Sequence, residues 1–126
     1  MDKEIKQALE AGIHGTPELK PAEKALYLST FRERVYVALT KRQVAQKLYP
    51  SVKNEMSRGR VLLLNGDLPY SMLSKYIKEA NKASIPFTII NDKETDTPLG
   101  LVLASKDDAV NREEIFVRDE YFSLDT

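Results

Sequence analysis

Apolar residues between positions 31 and 104 follow two rhythms: short near-continuous runs, and longer stretches with apolar side chains every three or four places. The runs are Val35-Tyr36-Val37-Ala38-Leu39, Val61-Leu62-Leu63-Leu64, Phe87-Thr88-Ile89-Ile90 and Leu99-Gly100-Leu101-Val102-Leu103-Ala104. Their β-branched, aromatic and leucine content predicts four strands, the first extending back to take in Arg32-Glu33-Arg34. The run at 61–64 lacks alternation, as expected of a central strand covered on both faces. Between the first two runs, Val44, Ala45, Leu48, Tyr49, Val52 and Met56 keep helical spacing up to Gly59. Between the second and third, Met72, Leu73, Tyr76, Ile77 and Ala80 do the same, which leaves Lys75, Lys78, Glu79 and Lys82 facing water.

Local signals set the boundaries. Thr40 with Gln43 three places later is a capping box, in which each side chain satisfies the other's backbone N–H. Pro50 interrupts the stripe after it and should kink or split that helix. Asp67 is expected to cap the next helix, with Pro69 in its first turn. Ile85-Pro86 opens the third strand, where proline is tolerated. Upstream, Ile5, Ala8 and Leu9 predict a short helix from Asp2 to about Ala11, followed by a turn at His14-Gly15-Thr16-Pro17 and a second short helix from Pro21 through Leu28. Downstream, Glu114 to Val117 could add a fifth strand. The tail after Asp119 is expected to be loose, with Tyr121, Phe122 and Leu124 able to dock on the core.

Alternation of strand and helix implies parallel pairing with right-handed crossovers. The short polar link from Asn91 to Thr97 suits a hairpin, which makes the fourth strand antiparallel to the third. The expected architecture is an α/β fold of βαβαββ type, a mixed sheet with helices packed on it. Residues 1–126 read as a single domain: a helical N-terminal extension (1–30), an α/β core (31–118) and a tail (119–126).

Composition narrows the chemistry. At 126 residues and 42% hydrophobic content, the chain can bury a core without covalent staples. Zero cysteines remove disulfides, thiolate metal sites and cysteine nucleophiles. The charged start, Met1-Asp2-Lys3-Glu4-Ile5, shows no secretory signal, and no apolar run approaches the ~18 residues of a membrane span, so a cytoplasmic protein without membrane contact is expected. His14 is the only histidine, and no metal or cofactor set can be assembled around it. No serine sits in a G-x-S-x-G turn, and the phosphate-loop pattern with its Lys-Ser/Thr ending is missing. Asp107-Asp108 and Glu113-Glu114 read as solvated loop charge. Enzymatic activity finds no positive support.

The net charge of zero hides an asymmetry. Residues 31–60 carry Arg32, Arg34, Lys41, Arg42, Lys47, Lys53, Arg58 and Arg60 against Glu33 and Glu55, a balance of +6, whereas residues 91–126 balance at −6. Either the two regions face each other, within the chain or across an oligomer, or the basic region 31–60 meets an anionic partner, with RNA the first nucleic acid to test. In open α/β sheets ligands favour the carboxyl ends of parallel strands. Those ends are Thr40-Lys41-Arg42 and Asn65-Gly66-Asp67, each opening a helix whose free N–H groups attract anions. Lys41 and Arg42 oppose the helix dipole there, at about 0.3–1 kcal/mol each, which a bound phosphate would offset. Thr40, Lys41, Arg42, Asn65 and Asp67 are thus the candidate anion- or nucleic-acid-binding residues of a non-enzymatic binding module. A plainer reading of Asn65-Gly66-Asp67 is a turn and a cap. Two other functions fit the same edge: a sensor or enzyme for a phosphorylated metabolite, and a protein–protein module pairing basic with acidic regions.

Ser29-Thr30-Phe31-Arg32-Glu33-Arg34-Val35, Leu39-Thr40-Lys41 and Asn65-Gly66-Asp67 together resemble the YueI family, small cytoplasmic proteins of low-GC Gram-positive bacteria with no established function. The resemblance spans about Gly12 to Val117, and Thr-Phe-Arg-Glu-Arg is its most specific part. It implies a fold like that of Bacillus chorismate mutase and carries no catalytic residues. Val61–Leu64, Asp67, Ile85-Pro86-Phe87 and Leu99-Gly100 are more distantly similar to the kink-turn RNA-binding ribosomal proteins. Those proteins read RNA through a Gly-x-Asn-Glu helix start, where this chain has Leu39-Thr40-Lys41-Arg42-Gln43.

Overall fold

The computed structural model describes residues 20–91 and 97–122. The expected helix at Asp2 to Ala11, the turn at His14 and the docking of Leu124 lie outside them. Helix α1 (Lys20–Leu26) and a 3-10 turn (Arg32–Arg34) precede strand β1 (Val35–Thr40), so Arg32-Glu33-Arg34 are not part of the first strand as expected: Arg34 N–H closes a turn on Phe31 O at 2.9 Å. Then come α2 (Lys41–Gln46), α3 (Pro50–Lys53), β2 (Arg60–Asn65), α4 (Tyr70–Lys82), β3 (Phe87–Ile90) and β4 (Leu99–Ser105). The fold is the expected mixed α/β type.

The sheet order is β1-β4-β2-β3. Strands β2 and β3 pair in parallel, with Leu62 opposite Phe87, while β4 is antiparallel to both β1 and β2. Strands β1, β2 and β3 therefore share one direction, and β4 opposes them. This corrects the expected hairpin: β4 does run against β3, but β2 lies between the two. Burial supplies the reason. All seven residues of β4 are buried, whereas β3 is exposed or half-buried throughout. A strand that apolar along its whole length needs a neighbour on each edge and cover on both faces, and only the central slot offers both. The expected fifth strand reduces to one parallel bridge, Ala38 to Phe116, in which Ala38 N–H donates to Ile115 O at 2.7 Å.

Alternate strand residues feed two cores. Val37, Leu39, Leu62, Leu64, Leu101 and Leu103 meet Val44, Val52, Leu73, Tyr76, Ile77 and Ala80 from α2, α3 and α4. On the other face Leu26, Tyr27, Leu28 and Ile115 cover Val35, Ala38, Leu63, Val102 and Ala104. All three helices after β1 thus lie on one side of the sheet.

Pro50 does split the helix expected up to Gly59, but the break falls before it. Tyr49 is extended (φ −81°, ψ 123°) as the N-cap of α3, Pro50 is in the first turn, and Lys47 is fully extended (φ −167°). The residue ahead of a proline is pushed out of the helical region, while proline itself suits a first turn. Helix α1 stops at Leu26 rather than Leu28. Leu28 and Ser29 adopt left-handed φ values of 52° and 78°, and Ser29 N–H closes the turn on Lys24 O at 2.7 Å.

The tail is held at least as far as Phe122. Val110 and Asn111 N–H both donate to Glu33 O, Phe116 packs on Phe122 with ring centroids 5.6 Å apart, and Asp119 is bonded to the helical layer.

Candidate functional site

The carboxyl ends of the three parallel strands reach one edge of the sheet. At the end of β1 both halves of the expected capping box are present. Gln43 N–H donates to Thr40 Oγ1 at 3.3 Å, and Thr40 N–H to Gln43 Oε1 at 3.0 Å. Thr40 and Gln43 are fully buried. The Gln43 amide extends the network, its Nε2 donating to Val117 O at 2.6 Å and Asp119 Oδ1 at 3.1 Å. Tyr49 O–H also donates to Asp119, at 2.5 Å. Partial burial works to raise the Asp119 pKa, but hydrogen bonds from Tyr49, Gln43 and the Tyr121 N–H outweigh it and hold the carboxyl below its usual range.

At the end of β2 the buried Asn65 side chain bonds on both sides. Nδ2 donates to Leu99 O at 2.9 Å, and Oδ1 accepts the Asp67 N–H at 2.9 Å, an Asx turn. Asp67 does not cap the following helix. The N-cap of α4 is Pro69, extended at ψ 144°, with no side-chain cap bond. The Asx turn closes at residue 67 and the extended proline delays the helix, so Asp67 falls short of the capping position. Its carboxylate instead lies 3.5 Å from Lys41 Nζ. A Cβ on Gly100 would stand 3.0 Å from Lys41 Cα and from Val44 Cγ2, so α2 rests directly on β4 at this corner.

Of the five candidate residues, the fold brings Lys41 and Asp67 into contact, and Arg42 is exposed beside them without an ion pair to any described residue. Thr40 and Asn65 are buried, and their polar atoms are taken up by the chain's own backbone. What the corner can offer a ligand is the exposed Arg42 guanidinium.

A second polar cluster, which the sequence reading did not single out, lies along the outer edge of β1. The Arg60 guanidinium stacks 3.8 Å from the Tyr36 ring centre, with Arg112 at 5.5 Å. Glu55 bridges the two cations, taking Arg60 at 3.0 Å and Arg112 at 2.5 Å. The Arg112 hydrogen bond, against the effect of burial and with help from Arg60, lowers the Glu55 carboxyl below its ordinary pKa. Beside this cluster a cleft of about 330 Å³ opens between α3 and residues 112–117. Arg32 Nη2 also reaches Glu113 O at 2.9 Å. Segments 31–60 and 91–126 therefore touch here, but through Arg112 of the second on Glu55 of the first and Arg32 on a backbone carbonyl.

Among the described residues no three His, Asp or Glu side chains stand close enough to hold a metal ion, and no helix is long and apolar enough to cross a membrane. The chain is 43% identical over 118 residues to the uncharacterized protein YueI of Bacillus subtilis (strain 168), covering 91% of this chain and 89% of that one. Its structure is similar to the crystal structure of the YueI protein from Bacillus subtilis, with a TM-score of 0.82, 42% identity and 94% of each chain covered. The model of the family described as protein of unknown function (DUF1694) matches residues 2–116, and the chain belongs to that family.

Proposed function

We propose that the protein is a binding module for an anionic ligand, engaged at the corner where α2 and α4 begin. The observation that carries this reading is the exposed Arg42, which makes no ion pair among the described residues, next to the Lys41–Asp67 contact. Thr40, Gln43 and Asn65 are engaged in holding the backbone, which leaves Arg42 as the exposed cation of this corner. Nucleic acid is the first ligand class to try, since phosphate contacts depend on such exposed cations. Filter binding of RNA at two salt concentrations tests it. Saturable binding that weakens at the higher salt, and is reduced in Arg42→Glu, is the expected result. Absence of binding at low salt, both for RNA and for inorganic polyphosphate, overturns it.

A phosphorylated small metabolite is the second reading, since a lone exposed arginine beside Lys41 and Asp67 can also meet a single phosphate. A thermal-shift screen of nucleotides and sugar phosphates separates it from the first. A true ligand at a hundred times its dissociation constant adds about 2.7 kcal/mol of stability.

A further inference from the structure

The three helices after β1 carry an excess of basic residues. Residues 41–53 and 70–82, which form α2, α3 and α4, carry Lys41, Arg42, Lys47, Lys53, Lys75, Lys78 and Lys82 against Glu79 alone. All three helices pack on the same face. Arg42, Lys47, Lys53, Lys78 and Lys82 are exposed there. Glu79 is mostly covered and already lies between Lys53 at 3.8 Å and Lys82 at 3.2 Å. Lys75 does not join them: burial lowers its pKa, and its Nζ is folded back onto Met72 O at 2.7 Å. Acids reach this layer at its margins: Asp67 lies 3.5 Å from Lys41, Asp119 is bonded to Gln43 and Tyr49, and Glu114 lines the cleft beside α3.

We infer that the outer face of α2, α3 and α4 is the footprint of a double-stranded nucleic acid, held through its phosphate backbone. The inference rests on the anionic-ligand reading above and extends it from one corner to a whole face. Three features select the partner. Protein–protein interfaces are depleted of lysine and enriched in aromatic side chains, the opposite of this surface. A membrane-surface helix needs apolar side chains to insert; the large exposed hydrophobics among the described residues are Tyr70 and Phe87, and only Tyr70 belongs to these helices. Single strands are gripped by rows of stacking aromatics, and one tyrosine does not make a row. Spread cations without stacking platforms suit the regular phosphate lattice of a duplex, where contact is largely independent of sequence.

Fluorescence anisotropy with a short mixed-sequence RNA duplex, and the DNA duplex of the same sequence, reads the inference across a salt series. With about five phosphates neutralised, the logarithm of the affinity should fall against the logarithm of salt with a slope of about −4.5. The double variant Lys78→Glu/Lys82→Glu, on the exposed side of α4 and far in sequence from Arg42, should make that slope shallower by about two, with an unchanged thermal melt. If Arg42→Glu weakens duplex binding while the α4 variant leaves it intact, the ligand is confined to the corner: this inference falls and the anionic-ligand reading stands. Tighter binding of the matching single strand, or binding of polyphosphate or anionic phospholipid vesicles but not of duplex, also overturns the duplex assignment. Failure of every anionic probe removes both readings together.

Discussion

The Tyr76 hydroxyl accepts the backbone N–H of Tyr49 at 3.0 Å and donates to Lys47 O at 2.7 Å. It fills the gap between α2 and α3 that the proline opens, standing in for helical bonds that the extended residues cannot make. Tyr76 and Tyr49 are both buried, so no water is at hand to replace it. Tyr76→Phe keeps the ring and its packing but leaves a donor and an acceptor unmet. The expected loss is about 1–3 kcal/mol in urea-induced unfolding, with little change in the denaturant slope.

Alkaline conditions should undo the fold through its tyrosines. Burial raises the Tyr76 hydroxyl from 10.0 to about 12, and Tyr27 and Tyr49 are pushed up as well, Tyr27 by burial and Tyr49 by burial and then its bond to Asp119. A group whose pKa is raised in the folded state stabilises it fully below the unfolded value and loses that contribution as pH climbs toward the folded value. Stability measured by urea midpoint should therefore hold up to about pH 10 and fall steeply above it. A flat profile through pH 11 would contradict the burial of these hydroxyls in solution.

At the acid end the sign reverses. Asp119 and Glu55 have lowered pKa values, so they stabilise the fold above the ordinary carboxylate range and cease to do so as pH drops through their folded values. Asp119→Asn removes the charge that Tyr49 and Gln43 address. It should lower stability at neutral pH by about 1.5–3 kcal/mol and flatten the acid limb of the stability–pH curve. Parallel acid limbs in the variant and the native protein would assign that limb to other carboxylates.

Gly100 is required by distance. A methyl group there would press on Lys41 Cα, Val44 Cγ2 and Leu68 Cδ1, all at 3.0 Å. Because one of those atoms belongs to the backbone, Gly100→Ala should shift α2 and cost about 1–3 kcal/mol, read as a fall in melting temperature.

How far the sequence speaks for the structure depends on the range of each signal. The capping box at Thr40 and Gln43 and the helix break near Pro50 are carried by neighbouring residues, and both are where the local pattern puts them. The strand–helix–strand unit from β2 to β3 is equally legible. The position of β4 is not, because a hairpin-length link says nothing about which edge is free. The unbroken run from Leu99 to Ala104 held the better clue, since apolarity on both faces marks a central strand. Among the candidate residues, Arg42 is exposed and Lys41 half-buried against Asp67. The role of Asp67 is not legible locally, because its partner is 26 residues away and the Asx turn displaces it from the helix axis. Nothing local announces that Gln43 reaches Val117 and Asp119.

Strand order also governs how the chain can be made. Strands β1 and β2 do not pair with each other; each meets only β4 among the central partners, and β4 comes last of the four. On the ribosome, β2, α4 and β3 can associate as soon as residue 90 is free. Strand β1, synthesised first, must wait for residues 99–105 before it has a sheet to join. Completion of the sheet is therefore a late event that ties the beginning of the domain to its end, and a chain stalled before Leu99 leaves the edges of β1 and β2 open to the wrong partner.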